Sequence, residues 1–156
     1  MIRVSPSILA ADFADLGRDI GRIKQAGAEY VHIDVMDGLF VPNLSIGLAP
    51  IPCIRKITDL TLDVHLMIDR PVRYVERFCQ AGADIVTVHV EADTQENTLE
   101  ALRIIRACGI LDTRLVRSFN YWQHPQDDPH CGELAMRPDA LATTLEMYEP
   151  IAKRAK

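Results

Sequence analysis

Apolar and polar residues alternate strictly along Tyr30-Val31-His32-Ile33-Asp34-Val35-Met36-Asp37-Gly38. Val31, Ile33 and Val35 fall on one side, and His32, Asp34 and Met36 on the other. A period of two marks a strand whose two faces differ. The same pattern returns over residues 61–67, where Leu62, Val64 and Leu66 oppose Asp63, His65 and Met67. A third run, Ile85-Val86-Thr87-Val88-His89, is strongly β-branched and reads as another strand. Residues 2–9 read as a first strand, interrupted by Pro6, which a ladder tolerates only where the missing N–H is not needed. Between these runs the period changes to that of a helix. Leu16, Ile20 and Ile23 space a helix over 15–26 that Gly27 terminates. Further helices are predicted over 47–57, with Pro50 and Pro52 confined to the first turn, over 71–81, and over 94–107. The phrase Gln25-Ala26-Gly27-Ala28-Glu29 recurs as Gln80-Ala81-Gly82-Ala83-Asp84 ahead of the next strand. That is a weak internal repeat of a helix end, a glycine stop and a strand.

Strand and helix thus alternate four times over residues 2–108, which implies parallel strands joined by right-handed crossovers. An open doubly wound sheet and part of a (β/α)8 barrel both satisfy this. Two features favour the barrel. No glycine-rich phosphate loop follows the first strand, and polar residues face one side on successive strands: Ser7, then His32 and Asp34, then His65, then Thr87 and His89. Such groups converge only if the sheet curves, with a site at the carboxyl ends. The fold class is therefore α/β, of the TIM-barrel family, represented by its first four βα units and an irregular tail. Past Gly109 the pattern stops. Residues 110–116 could be a strand, but their polarity is wrong for a buried parallel one; 117–136 read as loop or disorder, and 138–156 can form a helix disturbed by Pro150. The expected division is 1–109 as a half-barrel and 110–156 as an unrelated, loop-rich tail.

Composition narrows the function. The chain has 156 residues, 48% of them hydrophobic, with a net charge of −5. It carries no basic field for nucleic acid and no run long enough to span a membrane. Its start lacks the pattern of a secretory signal. Cys53, Cys79, Cys108 and Cys131 are far apart, without a Cys-x-x-Cys pair, and are expected as free thiols in a reducing cytoplasm.

The candidate chemistry lies in His32, Asp34 and His65. Two imidazoles and a carboxylate form a mixed nitrogen and oxygen set suited to one divalent ion: Zn, Fe, Mn or Co. Residues two apart on a strand face the same way, so His32 and Asp34 reach a common point. A hydrogen-bonded His–Asp pair without metal explains the same residues, and on residue types alone both readings stand. His89 also faces inward, where Glu91 can hold it. Asp37 is expected as a loop or cap residue, Met36 and Met67 as core filler, and Ser7 as a turn or capping hydroxyl.

Several ordered motifs then carry a resemblance. They are Ser5-Pro6-Ser7-Ile8-Leu9-Ala10-Ala11-Asp12-Phe13, His32-Ile33-Asp34-Val35-Met36-Asp37-Gly38-Leu39-Phe40-Val41-Pro42-Asn43, Leu62-Asp63-Val64-His65-Leu66-Met67, Ala81-Gly82-Ala83-Asp84 and Val88-His89-Val90-Glu91-Ala92. Over about residues 2–109 the chain resembles ribulose-phosphate 3-epimerase. The resemblance implies a TIM barrel, a divalent metal ion and interconversion of D-ribulose 5-phosphate and D-xylulose 5-phosphate. It also implies roles by position. Ser7 matches a substrate-contacting serine. His32, Asp34 and His65 match three of four metal ligands, with His65 also beside the substrate. Asp34 matches one of two acid/base carboxylates, and the methionines match an apolar wall.

The implied reaction removes the proton at C3, next to the C2 ketone, through an ene-diolate that a metal ion stabilises as a Lewis acid. Inversion needs a second acid on the opposite face, which the family takes from an aspartate on a later strand, and a phosphate held by glycine-rich loops. After Gly109 neither has a counterpart here: Asp112, Asp127, Asp128 and Asp139 stand in other contexts. A complete barrel takes roughly 200 residues or more. The alternative to an epimerase is therefore a truncated or frameshifted, non-catalytic half-barrel that binds metal or associates with another barrel half. The partner expected is a small sugar phosphate, with no nucleic acid and no membrane; a homo-oligomer stays open.

Overall fold

The computed structural model describes residues 4–110 and the backbone of 112–116, all within the compact unit Met1–Ser118. Four parallel strands lie side by side in chain order: β1 (Tyr30–Met36), β2 (Thr61–Met67), β3 (Ile85–His89) and β4 (Asp112–Val116). Helices α1 (Leu16–Gln25), α2 (Ile51–Ile57), α3 (Val75–Gln80) and α4 (Gln95–Ala107) alternate with them. The α/β arrangement is that of part of a TIM barrel. No helix among the described residues is long and apolar enough to cross a membrane.

The alternation in sequence becomes a division between faces. Val31, Ile33 and Val35 of β1, Leu62, Val64 and Leu66 of β2, and Val86 and Val88 of β3 are buried in one core with Ile20, Ile54, Val75, Phe78, Ala101 and Ile105 of the helices. The opposite face carries the polar residues. In register, His32 lies beside Asp63, Asp34 beside His65, His65 in turn beside Thr87, and Met36 beside Met67. Register thus lines up the polar residues of neighbouring strands in rows. A slip by one residue would exchange the faces of a strand.

Two expectations need correction. Residues 2–9 are not a strand in their described part. They form one parallel bridge, Ser7 to His32, with the His32 N–H donating to the Pro6 carbonyl at 2.9 Å. The ladder stops because Pro6 offers no N–H, and because Ser7 turns the chain by capping a 3₁₀ turn, Ile8–Ala10, accepting the Leu9 N–H at 3.2 Å. Residues 110–116, judged too polar for a buried parallel strand, contain β4, which pairs with β3 from Ile85↔Asp112 to His89↔Val116. Backbone pairing satisfies every strand regardless of side-chain polarity, and β4 is the last strand in the order among the described residues, so the polarity test for a central strand did not apply. The loop and helix expected over 117–136 and 138–156 lie outside the described residues.

The repeated glycine stops both take left-handed backbone, Gly27 at φ 86° and Gly82 at φ 111°. At Gly82 space is restricted as well. An added Cβ would lie 2.9 Å from Arg55 Cγ and 3.1 Å from Arg55 Cβ. Arg55 cannot yield freely, because its guanidinium donates to Asp84 Oδ2 at 2.7 Å and to the Leu60 carbonyl at 2.9 Å, tying α2 to the turn before β3. Gly82→Ala is therefore expected to lower stability by about 1–3 kcal/mol. Gly47→Ala, where nothing lies within 4 Å, should stay within about 0.5 kcal/mol of the parent. Urea unfolding midpoints check both; equal midpoints for the two variants would refute the argument.

Candidate metal centre

Parallel pairing of β1 with β2 brings His32, Asp34 and His65 together, although His65 is 31 residues from Asp34. One ligand atom from each lies within 4.8 Å of the others. Asp34 is the hub. Its Oδ1 lies 3.2 Å from His32 Nε2 and 3.2 Å from His65 Nδ1, and its Oδ2 accepts from Ser7 Oγ at 2.5 Å. Two ligands on one ion with bonds of about 2.1 Å stand roughly 3.0–3.4 Å apart in octahedral or tetrahedral geometry. The two 3.2 Å separations fall in that interval, so this donor set fits a divalent ion.

The electrostatics follow from the geometry. Burial by itself would lower the His32 pKa, but hydrogen bonds to Asp34 and Asp63 outweigh it and raise it to about 9. Burial would raise the Asp34 carboxyl. Hydrogen bonds from His32, His65 and Ser7 outweigh it and hold Asp34 well below the usual carboxylate range. Asp34 is therefore an anion at neutral pH. His89 goes the other way: burial, then the neighbouring His65, push it down to about 4.

The remaining expected residues are placed as follows. Ser7 both caps its turn and meets Asp34, so the bland reading and the candidate one coexist at one hydroxyl. Met36, Met67 and Val41, with Phe40 against them, form a small apolar cluster separate from the main core. Asp37 is a loop residue: it accepts from the Leu39, Phe40 and Asp69 N–H groups. His89 faces inward as expected, 3.5 Å from Glu91 Oε1.

Asp63 was given no role by sequence reasoning. It is 1% exposed, accepts from Ser5 Oγ at 3.2 Å, and holds His32 Nδ1 at 2.9 Å. That leaves His32 Nε2 facing Asp34. The signal was available: Asp63 shares the inward phase of His65, and a buried carboxylate needs a partner.

A family model described as the ribulose-phosphate 3 epimerase family matches residues 3–120. The chain belongs to that family. The match extends past Gly109, in keeping with the β4 pairing. The ribulose-phosphate 3-epimerase of Bacillus subtilis is 58% identical over 92 residues, 59% of this chain and 42% of that protein. The enzyme of the same name from Synechocystis is 52% identical over 108 residues, 69% of this chain and 47% of that protein. The chain thus spans about half the length of these epimerase relatives. A structure of Yersinia pestis DHPS with a pterine-sulfa conjugate shares the fold, with a TM-score of 0.54 at 14% identity, over 97% of this chain and 52% of that one.

The pair of shifts on His32 and Asp34 makes stability depend on pH in the metal-free epimerase-family chain. His32 is raised from 6.5 to about 9, so its contribution is full below pH 6.5 and is lost as pH rises through about 9. Asp34 is lowered, so its contribution is present above about pH 4 and is lost as pH falls. Urea titrations of the metal-free chain are expected to show stability falling by about 1–3 kcal/mol from pH 6.5 to 9.5. Asp63→Asn, which removes one charged acceptor from His32, should reduce that fall. A flat alkaline limb in the parent would refute the His32 pairing.

Proposed function

We propose that this chain provides the amino-terminal part of an epimerase site acting on a pentulose 5-phosphate, interconverting D-ribulose 5-phosphate and D-xylulose 5-phosphate at C3. His32, Asp34 and His65 hold one divalent ion, of Zn, Fe, Mn or Co class. When bound, the ion supplies positive charge that favours an ene-diolate over the neutral ketone. Asp34 Oδ2 removes the C3 proton, and Ser7 and His65 contact the substrate. The observation that carries this reading is the Asp34 carboxylate, which is 13% exposed, anionic, and shared by three donors at the polar face of parallel strands.

The residues divide the work. An ionised carboxylate is the form a base requires. Its three partners fix its orientation, so little reorganisation is needed at the moment of proton transfer. Ser7 Oγ can pass between Asp34 and a substrate oxygen by rotation about a single bond. Met36, Met67 and Val41 offer an apolar wall that limits water near the carboxylate and strengthens its local electrostatics. Asp34 serves one face of C3. Inversion requires an acid on the opposite face, so exchange of the C3 proton is the part of the reaction that these residues alone account for. A reducing cytoplasmic setting agrees with this reading.

The test is proton exchange rather than full turnover. The chain, supplied with Zn²⁺ or Mn²⁺, is incubated with D-ribulose 5-phosphate in D₂O, and loss of the C3 proton signal is followed by NMR. Exchange well above buffer, falling by about 10²–10⁴-fold in Asp34→Asn, is expected for a general base. Equal exchange by parent and variant would exclude Asp34 as the base.

A further inference from the structure

His65 has a second neighbour that the proposed ligand set does not use. Its Nε2 lies 2.7 Å from His89 Nε2. The two rings are 19° from parallel with centroids 4.9 Å apart. That separation exceeds the nitrogen–nitrogen distance by about two ring radii, so the rings meet edge to edge in nearly one plane rather than face to face. This is the geometry of an in-plane N–H···N hydrogen bond, in which one nitrogen carries the proton and the other accepts. His89 is itself confined. It is 6% exposed, the Phe40 ring leans on it at 5.0 Å, and its Nδ1 faces Glu91 Oε1 at 3.5 Å.

We propose that His89, oriented by Glu91, is a positioning residue that fixes which nitrogen His65 presents to the metal ion. The proposal rests on the ligand set of the preceding section. With the ion bound, which displaces the Nδ1 proton that His65 gives Asp34 in the metal-free chain, one arrangement of protons satisfies every group. His89 carries its proton on Nδ1, directed at the Glu91 carboxylate. His89 Nε2 then accepts from His65 Nε2–H. His65 Nδ1 is left with a lone pair, and Nδ1 is the nitrogen that lies 3.2 Å from Asp34 Oδ1. The chain Glu91–His89–His65 is a carboxylate–histidine–metal relay lengthened by one ring. It parallels Asp63 at His32, where the outer nitrogen Nδ1 is held by a carboxylate and Nε2 is turned inward. The two ligand histidines therefore present opposite nitrogens, each selected by what stands behind it.

Two measurements test this. The first needs no variant. In the zinc-loaded chain, ¹⁵N–¹H correlation spectra of the imidazoles should show His65 with its proton on Nε2 and zinc on Nδ1, and His32 with the reverse. Zinc on His65 Nε2 would overturn the proposal. The second is a zinc titration against a competing chelator. His89→Phe is expected to bind zinc about 10–100-fold more weakly, the loss typical of removing such an outer partner. His89→Gln, whose side-chain oxygen can accept from His65 Nε2–H, should recover most of the affinity. Unchanged affinity in a folded His89→Phe would overturn the proposal, and the spectra decide it if that variant does not fold. Failure of the parent chain to bind zinc, Fe²⁺, Mn²⁺ or Co²⁺ would instead sink the ligand set itself, and this inference with it.

Discussion

A carboxylate taken out of water must be partnered, and the polar half of this molecule is arranged around one such group. Asp34 is met by Ser7 from the chain start, by His32 from its own strand and by His65 from the next. Each donor arrives by a different device. His32 shares the inward phase of Asp34. His65 is delivered by register, since Asp34 and His65 are paired across β1 and β2. Ser7 is delivered by one backbone bridge to His32, after which the chain turns away. Even the backbone of Asp34 is held, its carbonyl accepting from Ser45 Oγ at 2.5 Å, while Ser45 Oγ itself accepts the Met36 N–H at 2.9 Å. The loop after β1 is thereby drawn back against the strand end, and it carries Phe40 and Val41 to the apolar cluster with Met36 and Met67.

The parts legible in the sequence were those governed by short periods. The three strands around Ile33, Val64 and Val88 and the four helices follow from alternation, glycine stops and caps, and they occur where expected. The inward set His32, Asp34 and His65 was legible too, because a residue's face is fixed by its phase within one strand. What was missed depends on backbone accounting or on pairs of strands. Residues 2–9 have the composition of a strand, but Pro6 and the Ser7 cap end the pairing after one bridge. Residues 110–116 have the wrong polarity, yet they pair. The contact of Asp63 with His32, and that of His89 with His65, cross between strands at positions set by register and ring orientation, which no period in the sequence encodes.

Family membership and physical geometry bear on different questions. The match over residues 3–120 establishes kinship, and the relatives are about twice as long as the stretches matched. Kinship does not say why these side chains stand where they do. The geometry does: a set of three candidate ligand atoms within 4.8 Å of one another exists because half-buried polar groups have found partners, and it would persist as a hydrogen-bonded cluster without an ion. This is why the choice between a structural His–Asp pair and a metal centre, left even by residue types, is not a choice between two geometries. A network that already gathers the donors lowers the reorganisation needed to bind an ion, and the proton held on His32 is what an ion must displace.

The strand on which this arrangement turns is β2, not β1. It carries His65 for the site and Asp63 for the ring of His32, so one strand supplies both a candidate ligand and the support for another strand's candidate ligand. Its other neighbour, β3, supplies His89 behind His65. The pairs β1–β2 and β2–β3 must both be in register for each imidazole to meet its outer partner and its inner one. The core face enforces this, because Leu62, Val64 and Leu66 are fully buried against the helices, and a one-residue slip would bring Asp63 and His65 into that core while exposing all three. Apolar packing on one side of the sheet thus fixes which nitrogens and carboxylates meet on the other. The hydrophobic alternation that specifies the fold is also what specifies the nitrogen that each histidine turns toward Asp34.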